Sequence, residues 1–193
     1  MNRPTPRCTQ PPEGRAARAA AAYAAPIPVL KTARLTLRAP RLQDLDAWTQ
    51  IYLEAFADTD AGEGPEEAWE EFSYYTAGWL LHGHGLWSVD RTVDRALVGF
   101  VHLGLEWDDD EPEVGWMFLP EHRGQGYATE AAMAARDWGG DLLPTFVSYI
   151  DPTNLASQAV AARLGASRDA ETEARIAAAH GTETQVWRHG ARP

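Results

Sequence analysis

The chain has 193 residues, of which 45% are apolar, and its 17 basic and 28 acidic side chains give a formal net charge of −11. This length and apolar content predict a single domain with a sizeable core and argue against a disordered chain. The acidic balance disfavours nucleic acid and anionic membrane surfaces as main partners, because both attract basic protein faces.

The N-terminal segment is rich in Pro, Ala and Arg, has one acidic residue and carries the only cysteine, Cys8. One cysteine provides no disulfide framework, so we expect a cytoplasmic protein. The segment lacks the continuous apolar stretch of a secretory signal; its Arg-rich, acid-poor composition is shared with transit peptides, but serine is absent. We therefore predict a flexible tail over residues 1–28 and one domain over residues 29–193. No apolar run approaches the roughly 18 residues of a membrane span.

Hydrophobic periodicity predicts ten elements after the tail, in the order β-α-α-β-β-β-α-β-α-β. In chain order they are a strand at 34–40, helices at 41–56 and 65–81, strands at 86–90, 96–106 and 113–119, a helix ending near 138, a strand at 145–150, a helix at 154–165 and a strand at 184–189. Central antiparallel hairpins followed by a parallel crossover indicate a mixed α/β sheet with helices on both sides. Residues 169–182 are weakly patterned and are assigned to no element.

A glycine-rich segment, FLPEHRGQGYATEAA at residues 118–132, follows the fourth predicted strand and enters an alanine-rich helix. Gly124 and Gly126 let a ligand approach the backbone or allow a positive φ, and the first N–H groups of the helix are available to an anion. A P-loop would need a Lys-Ser/Thr pair after the second glycine, where Tyr and Ala stand, and a dinucleotide fingerprint would need glycine at Thr129. The segment alone leaves a phosphate site and a tight turn equally open.

Two longer segments resemble the signature of the GNAT superfamily of acyl-CoA-dependent N-acyltransferases, and they look most like its RimJ/RimL-like branch. In PEVGWMFLPEHRGQGYATEA, Arg123, Gly126 and Ala128 match the R/Q-x-x-G-x-G/A motif that holds the coenzyme A pyrophosphate. In SYIDPTNLASQAVAARLGA, Asn154 and Ser157 match the N-x-x-S motif of the family, and the Arg-Leu-Gly sequence that ends this motif in the family follows at residues 163–165.

The resemblance, which runs from Leu30 to Arg188, implies the GNAT fold: a mixed, mostly antiparallel central sheet flanked by helices and splayed between the fourth and fifth predicted strands. It implies acetyl-CoA as cosubstrate, lying in that gap with its pantetheine paired to the fourth strand, and no metal. The cofactor-binding residues that it implies are Met117, Phe118, Leu119, Arg123, Gly124, Gln125, Gly126, Tyr127, Ala128, Thr129 and Asn154. Asn154 is equally suited to cap its own helix.

The resemblance also implies direct attack of an amine on the thioester, which needs a base and a proton donor for the leaving thiolate. Glu113 begins the fourth strand in the family's E-x-G-aromatic pattern and is the expected base, although its place at the end of DDDEPE leaves a solvated turn as the alternative. The tyrosine that many members use as donor is replaced by Ala161. The RimL-like branch uses the serine of N-x-x-S, so Ser157 is the expected donor; the alternative is that it only bonds the helix backbone.

The histidines are assigned no catalytic role. His82 and His84 lie in a Gly-rich stretch without a full ligand set, so no metal site is predicted there. His102 is expected at the surface of the sheet, with the acceptor cleft as its alternative position.

These features predict a cytoplasmic N-acetyltransferase that uses acetyl-CoA and acts on a primary amine, either a protein N-terminus or a small molecule. The sequence does not identify the acceptor, and it leaves a homodimer open. The alternative is a catalytically silent module that binds coenzyme A and serves regulation or interaction. The missing tyrosine at Ala161 favours the alternative, whereas Glu113 and Ser157 favour the enzyme.

Overall fold

The computed structural model describes residues 6–57, 64–107, 109–181 and 183–190, except for the side chain of His180. The strands are β1 Leu30–Lys31, β2 Leu35–Arg38, β3 Leu86–Arg91, β4 Leu97–Gly104, β5 Glu113–Phe118, β6 Phe146–Ile150, β7 Ser167–Arg168 and β8 Gln185–His189. The helices are α1 Gly14–Ala24, α2 Leu45–Ala55, α3 Pro65–Leu81, α4 Tyr127–Gly140, α5 Leu155–Arg163 and α6 Ala170–His180. None of these helices combines the length and the apolarity that crossing a membrane requires.

The strands form one open sheet in the order β1-β2-β3-β4-β5-β6-β8-β7. Its neighbouring strands are antiparallel except for β5 and β6, which run parallel. The register between β5 and β6 contains a single pair, Glu113 with Val147, so the two strands diverge beyond that point. The sheet is therefore splayed between residues 113–118 and 146–150, and the predicted mixed, mostly antiparallel fold is confirmed.

The centre of the sheet is buried on both faces because helices cover each side. On one face, Trp48 of α2 packs edge-on against Phe72 of α3 and Phe100 of β4, with ring centroids 5.8 and 5.2 Å away. On the other face, the fully buried Ala131 and Ala135 of α4 pack against the sheet. Small side chains let α4 lie close to the strands, and this packing fixes the position of its N-terminal turn.

All ten predicted elements are present in the predicted order, and the structure adds α1, β1, β7 and α6. Helix α6 occupies the segment for which the sequence predicts no element. It begins where the Asp169 side chain accepts a hydrogen bond from the Thr172 N–H, and it ends at Gly181. Its buried residue is Thr172 rather than an apolar side chain, so no hydrophobic period marks it in the sequence.

The N-terminal segment contains helix α1, which its alanine content favours. None of residues 6–26 is buried. Contact with the core begins at Ile27, which packs against it, and at Pro28, whose carbonyl accepts a hydrogen bond of 2.9 Å from the Trp87 Nε1–H. The flexibility of residues 1–28 and the domain boundary at residue 29 stay predictions, and residues 1–5 lie outside the described residues.

Candidate active site

A cleft of about 1070 Å³ opens beside the diverging strands. Its walls are the end of α2, the second half of β5, the first turns of α4 and helix α5. This volume matches the upper range of small-molecule and cofactor sites. The predicted site residues that line it are Met117, Phe118, Arg123, Gly124, Gly126, Tyr127, Ala128, Thr129, Asn154 and Ser157.

The loop that enters α4 carries a row of backbone N–H groups, and we call residues 124–129 the cradle. Gly124 and Gly126 have φ angles of 73° and 78°, a left-handed conformation that glycine adopts without a steric penalty. None of the six cradle N–H groups has a hydrogen-bond acceptor among the described residues, and the first intrahelical bond runs from Glu130 N–H to the Gly126 carbonyl. Free N–H groups at a helix N-terminus attract anions.

Arg34 holds the cradle in place, a role that the sequence does not reveal. Its Nε donates to Glu130 Oε2 at 2.7 Å and its Nη1 donates to the Gln125 carbonyl at 3.0 Å. Its guanidinium also lies 4.7 Å from the centre of the Tyr127 ring. The carbonyl of Gln125 is therefore occupied by Arg34, and Gln125 does not line the cleft.

The guanidinium of Arg123 is paired within the protein. Its two terminal nitrogens donate to the Glu54 carboxylate at 2.7 and 2.9 Å, and its Nε donates to the Phe118 carbonyl at 2.8 Å. These hydrogen bonds lower the pKa of Glu54. Arg123 therefore joins the end of α2 to the end of β5.

Leu119 lies apart from the other predicted cofactor residues. Its N–H donates to the Val98 carbonyl at 3.1 Å, and its side chain is buried in the cluster that contains Trp48. The edge of β5 that faces the cleft therefore ends at Phe118.

A smaller pocket of about 210 Å³ lies between the diverging strands and shares Trp116, Met117, Asn154 and Ser157 with the cleft. Glu113 lies in this pocket with a side chain that is 16% exposed. Its Oε1 accepts a hydrogen bond of 3.1 Å from the Tyr149 backbone N–H. Glu113 is thus an ordered, largely buried carboxyl at the start of β5 rather than part of a solvated turn.

Ser157 lies at the first turn of α5. Asn154 caps this helix, because its Oδ1 accepts a hydrogen bond of 3.0 Å from the Ser157 N–H. The Ser157 hydroxyl has no partner among the described residues, and the residue lines both the cleft and the smaller pocket. Ala161, at the position where many members of the GNAT superfamily have tyrosine, is fully buried.

Two acidic residues, Glu113 and Asp151, line the smaller pocket, and the charges of Glu106 and Asp109 act close to Glu113. Burial, together with the charges of Glu113 and Glu106, raises the pKa of Asp109 to about 6. Burial and the charges of Asp109 and Glu113 raise the pKa of Tyr149 to about 12, which keeps its phenol protonated at neutral pH. The negative potential of this region favours a cationic ligand over an anionic one.

His102 does not lie at the surface of the sheet, where the sequence predicts it. It is 5% exposed, because α3 covers this face of β4, and it lines the smaller pocket beside Glu113. His84 is also buried and its Nδ1 lies 2.7 Å from the Leu103 carbonyl. No group of three or more potential metal ligands was found among the described residues.

A sequence profile of the acetyltransferase (GNAT) domain matches residues 34–167 of the chain. An uncharacterized N-acetyltransferase of Bacillus subtilis (strain 168), YnaD, is 29% identical over 78 residues, which cover 39% of this chain and 46% of that protein. The chain thus spans about half the length of this curated relative.

Two solved structures share the fold over most of the chain. The acetyltransferase from Agrobacterium tumefaciens str. C58 is 33% identical, with 84% of this chain and 94% of that chain covered and a TM-score of 0.74. RimL, a ribosomal L7/L12 alpha-N-protein acetyltransferase in complex with coenzyme A, is 15% identical, with 84% and 97% covered and a TM-score of 0.63. The similarity to RimL concerns the fold alone.

Proposed function

The chain belongs to the GNAT acetyltransferase family, and from that premise we propose that it transfers an acetyl group from acetyl-CoA to a primary amine in a ternary complex. The observation that carries the proposal is the cradle: five of its six residues line a cleft that adjoins the pocket of Glu113, and none of its N–H groups has an acceptor among the described residues. Within the family we favour the RimJ/RimL-like branch, and the cytoplasm is the proposed compartment.

The cradle supports binding of the coenzyme A pyrophosphate. Its N–H groups and the positive end of the α4 dipole would bind the phosphate oxygens, and the glycines leave the approach open. The pantetheine arm would extend along the edge of β5 that β6 leaves unpaired after Glu113. That course brings the thioester towards the smaller pocket, where Glu113 and Ser157 lie.

The chemistry needs two proton transfers that the chain can serve. An amine arrives as an ammonium, and Glu113 takes one proton, directly or through a water, so that the nitrogen lone pair is free. The nitrogen then forms a bond to the thioester carbon, the carbon–sulfur bond breaks, and a second proton leaves the nitrogen for solvent. Ser157 is the proposed donor to the departing thiolate, because its hydroxyl lines the pocket and has no partner among the described residues. As its proton passes to the sulfur to give the free thiol, the hydroxyl regains a proton from solvent, which has received the second proton of the amine.

The acidic surroundings of the smaller pocket support a cationic amine as acceptor. The carboxylates of Glu106, Asp109 and Glu113 would attract an ammonium group and would repel an acidic substrate. A protein N-terminus and a small-molecule amine both satisfy this requirement. A panel of primary amines and short peptides, assayed by release of free thiol from acetyl-CoA, tests the proposal. Acetyl-CoA binding without thiol release from any acceptor would support the silent coenzyme-binding module instead.

Replacing Ser157 by alanine should slow turnover roughly tenfold to a hundredfold, because one hydroxyl donor to a fair leaving group contributes about 1–3 kcal/mol. Steady-state kinetics with the best acceptor measures this loss. Ser167→Ala, at an exposed serine in β7 away from the cleft, is the matched control and should leave the rate unchanged. Full activity of Ser157→Ala would remove Ser157 from the mechanism and direct attention to Tyr149 and Tyr127.

Deleting residues 1–26 should leave acetyl-CoA affinity unchanged, because none of residues 6–26 is buried and the cleft is formed by later elements. Calorimetric titration of the truncated and full-length proteins with acetyl-CoA measures the two affinities. An insoluble truncated protein, or affinity lower by about tenfold or more, would contradict a dispensable tail.

A further inference from the structure

His102 occupies a built position next to Glu113. Its ring stacks on Tyr75 of α3, with centroids 4.3 Å apart and planes 17° from parallel. Its other face lies over Gly115, where an added Cβ would come within 2.2 Å of His102 Cε1. The Tyr75 hydroxyl in turn donates a hydrogen bond to the Glu106 carboxylate, and this bond fixes the Tyr75 ring. The imidazole is therefore held between the Tyr75 ring and the backbone of β5 at Gly115, where no side chain fits.

His102 is only 5% exposed, yet neither of its ring nitrogens has a hydrogen-bond partner among the described residues. An unpaired polar group in a buried position costs about 1–3 kcal/mol, so such groups in native proteins usually have a partner at some stage of function. Nε2 lies 3.8 Å from Glu113 Oε2, which is beyond hydrogen-bond distance.

The gap between these two atoms suits one further donor. Because His102 Nε2 and Glu113 Oε2 are 3.8 Å apart, a single nitrogen at about 2.8 Å could contact both. Nε2 is buried in this conformation, so a small shift of the His102 or Glu113 side chain has to accompany binding of that nitrogen. Both residues line the smaller pocket, which also contains Ser157. A nitrogen bound there would share the pocket with Ser157, the proposed donor to the thiolate.

We propose that His102 is a second residue that binds the acceptor amine: Nε2 accepts a hydrogen bond from one N–H of the amine while Glu113 takes its proton. This inference rests on the proposed acetyltransferase function. The ammonium carries three protons: one moves to Glu113, one is held by His102, and the third lies on the nitrogen that attacks. Holding one N–H fixes the rotation of the nitrogen, so its lone pair is directed at the thioester carbon rather than averaged over orientations.

The test compares His102→Phe with His102→Gln. Phenylalanine keeps a flat ring between Tyr75 and Gly115 but removes both nitrogens, whereas the glutamine amide oxygen can accept a hydrogen bond near the position of Nε2. With the best acceptor of the amine and peptide panel, His102→Phe should lower kcat/KM about tenfold to a hundredfold. His102→Gln should recover a large part of that loss, and both variants should keep wild-type acetyl-CoA affinity by calorimetry.

Three results would overturn the proposal: wild-type kcat/KM in His102→Phe, an equal loss of acetyl-CoA affinity, or no recovery in His102→Gln. If His102→Phe does not fold, His102→Leu takes its place with the same expected loss. These failures differ from a failure of the proposed function, in which the wild-type protein itself releases no thiol with any amine or peptide.

Discussion

Replacing Glu113 by glutamine should lower kcat/KM for the acceptor by about 10²–10⁴-fold, the usual contribution of a positioned general base. Glutamine keeps the size of the side chain and an oxygen that can accept the Tyr149 N–H, but it cannot take a proton from the amine. The cradle lines the cleft whereas Glu113 lies in the smaller pocket, so acetyl-CoA affinity should barely change. Steady-state kinetics with the best acceptor, together with calorimetric titration, measures both quantities.

The pH profile separates a base from a structural carboxyl. At high pH the amine is already neutral in solution, so the difference between Glu113→Gln and the wild type should shrink as pH rises through the pKa of the acceptor amine. Asp110→Asn is the matched control, because Asp110 belongs to the same acidic run but forms an exposed ion pair with Arg175. It should have little effect on the rate. A loss in Glu113→Gln that is equally large at high pH would indicate a structural role.

Replacing Gly126 by valine should weaken acetyl-CoA binding by at least about 2 kcal/mol, or roughly thirtyfold. Gly126 has a φ of 78°, which a β-branched residue adopts only with strain, so the cradle would move to another conformation. An added Cβ would also lie 3.4 Å from Arg34 Nη2, so the branches of valine would disturb the side chain that holds the cradle. Calorimetric titration with acetyl-CoA measures the loss.

Gly83→Val is the matched control for this strain. Gly83 has a φ of 77° and open space around its Cα, and it lies in the turn between α3 and β3, away from the cleft. Both valine variants should lower the melting temperature, but only Gly126→Val should lose coenzyme affinity. If Gly126→Val is destabilised to the same extent as Gly83→Val and still binds acetyl-CoA normally, the glycine serves a structural turn.

The fold could be predicted wherever local signals agree. Helix α3 spans residues 65–81 in both the sequence prediction and the structure, because Pro65 suits the first turn of a helix and glycines precede and follow the segment. Helix α6 could not be predicted, since its buried residue is Thr172 and most of its other residues are alanines or charged residues, which form no apolar face. Strands β1 and β7 have two residues each, which is too short for any period to appear.

The site was predicted where its residues form contiguous motifs, as in the cradle. The contacts of Arg34 with Glu130 and of Arg123 with Glu54 join residues 96 and 69 positions apart, and no local pattern reports such pairs. The burial of His102 could not be predicted. Strand β4 is buried on both faces, so its sequence has no alternation of apolar and polar residues that would show which polar side chains are covered.

Calorimetric titration of the wild-type protein with acetyl-CoA tests the central claim most directly, since the cradle is the observation on which the proposed function rests. We expect saturable binding at micromolar to low-millimolar concentrations, accompanied by a rise in melting temperature as the ligand stabilises the folded state. Absence of binding over that range, with a protein that unfolds cooperatively and is therefore folded, would contradict the coenzyme site and the acetyltransferase assignment with it.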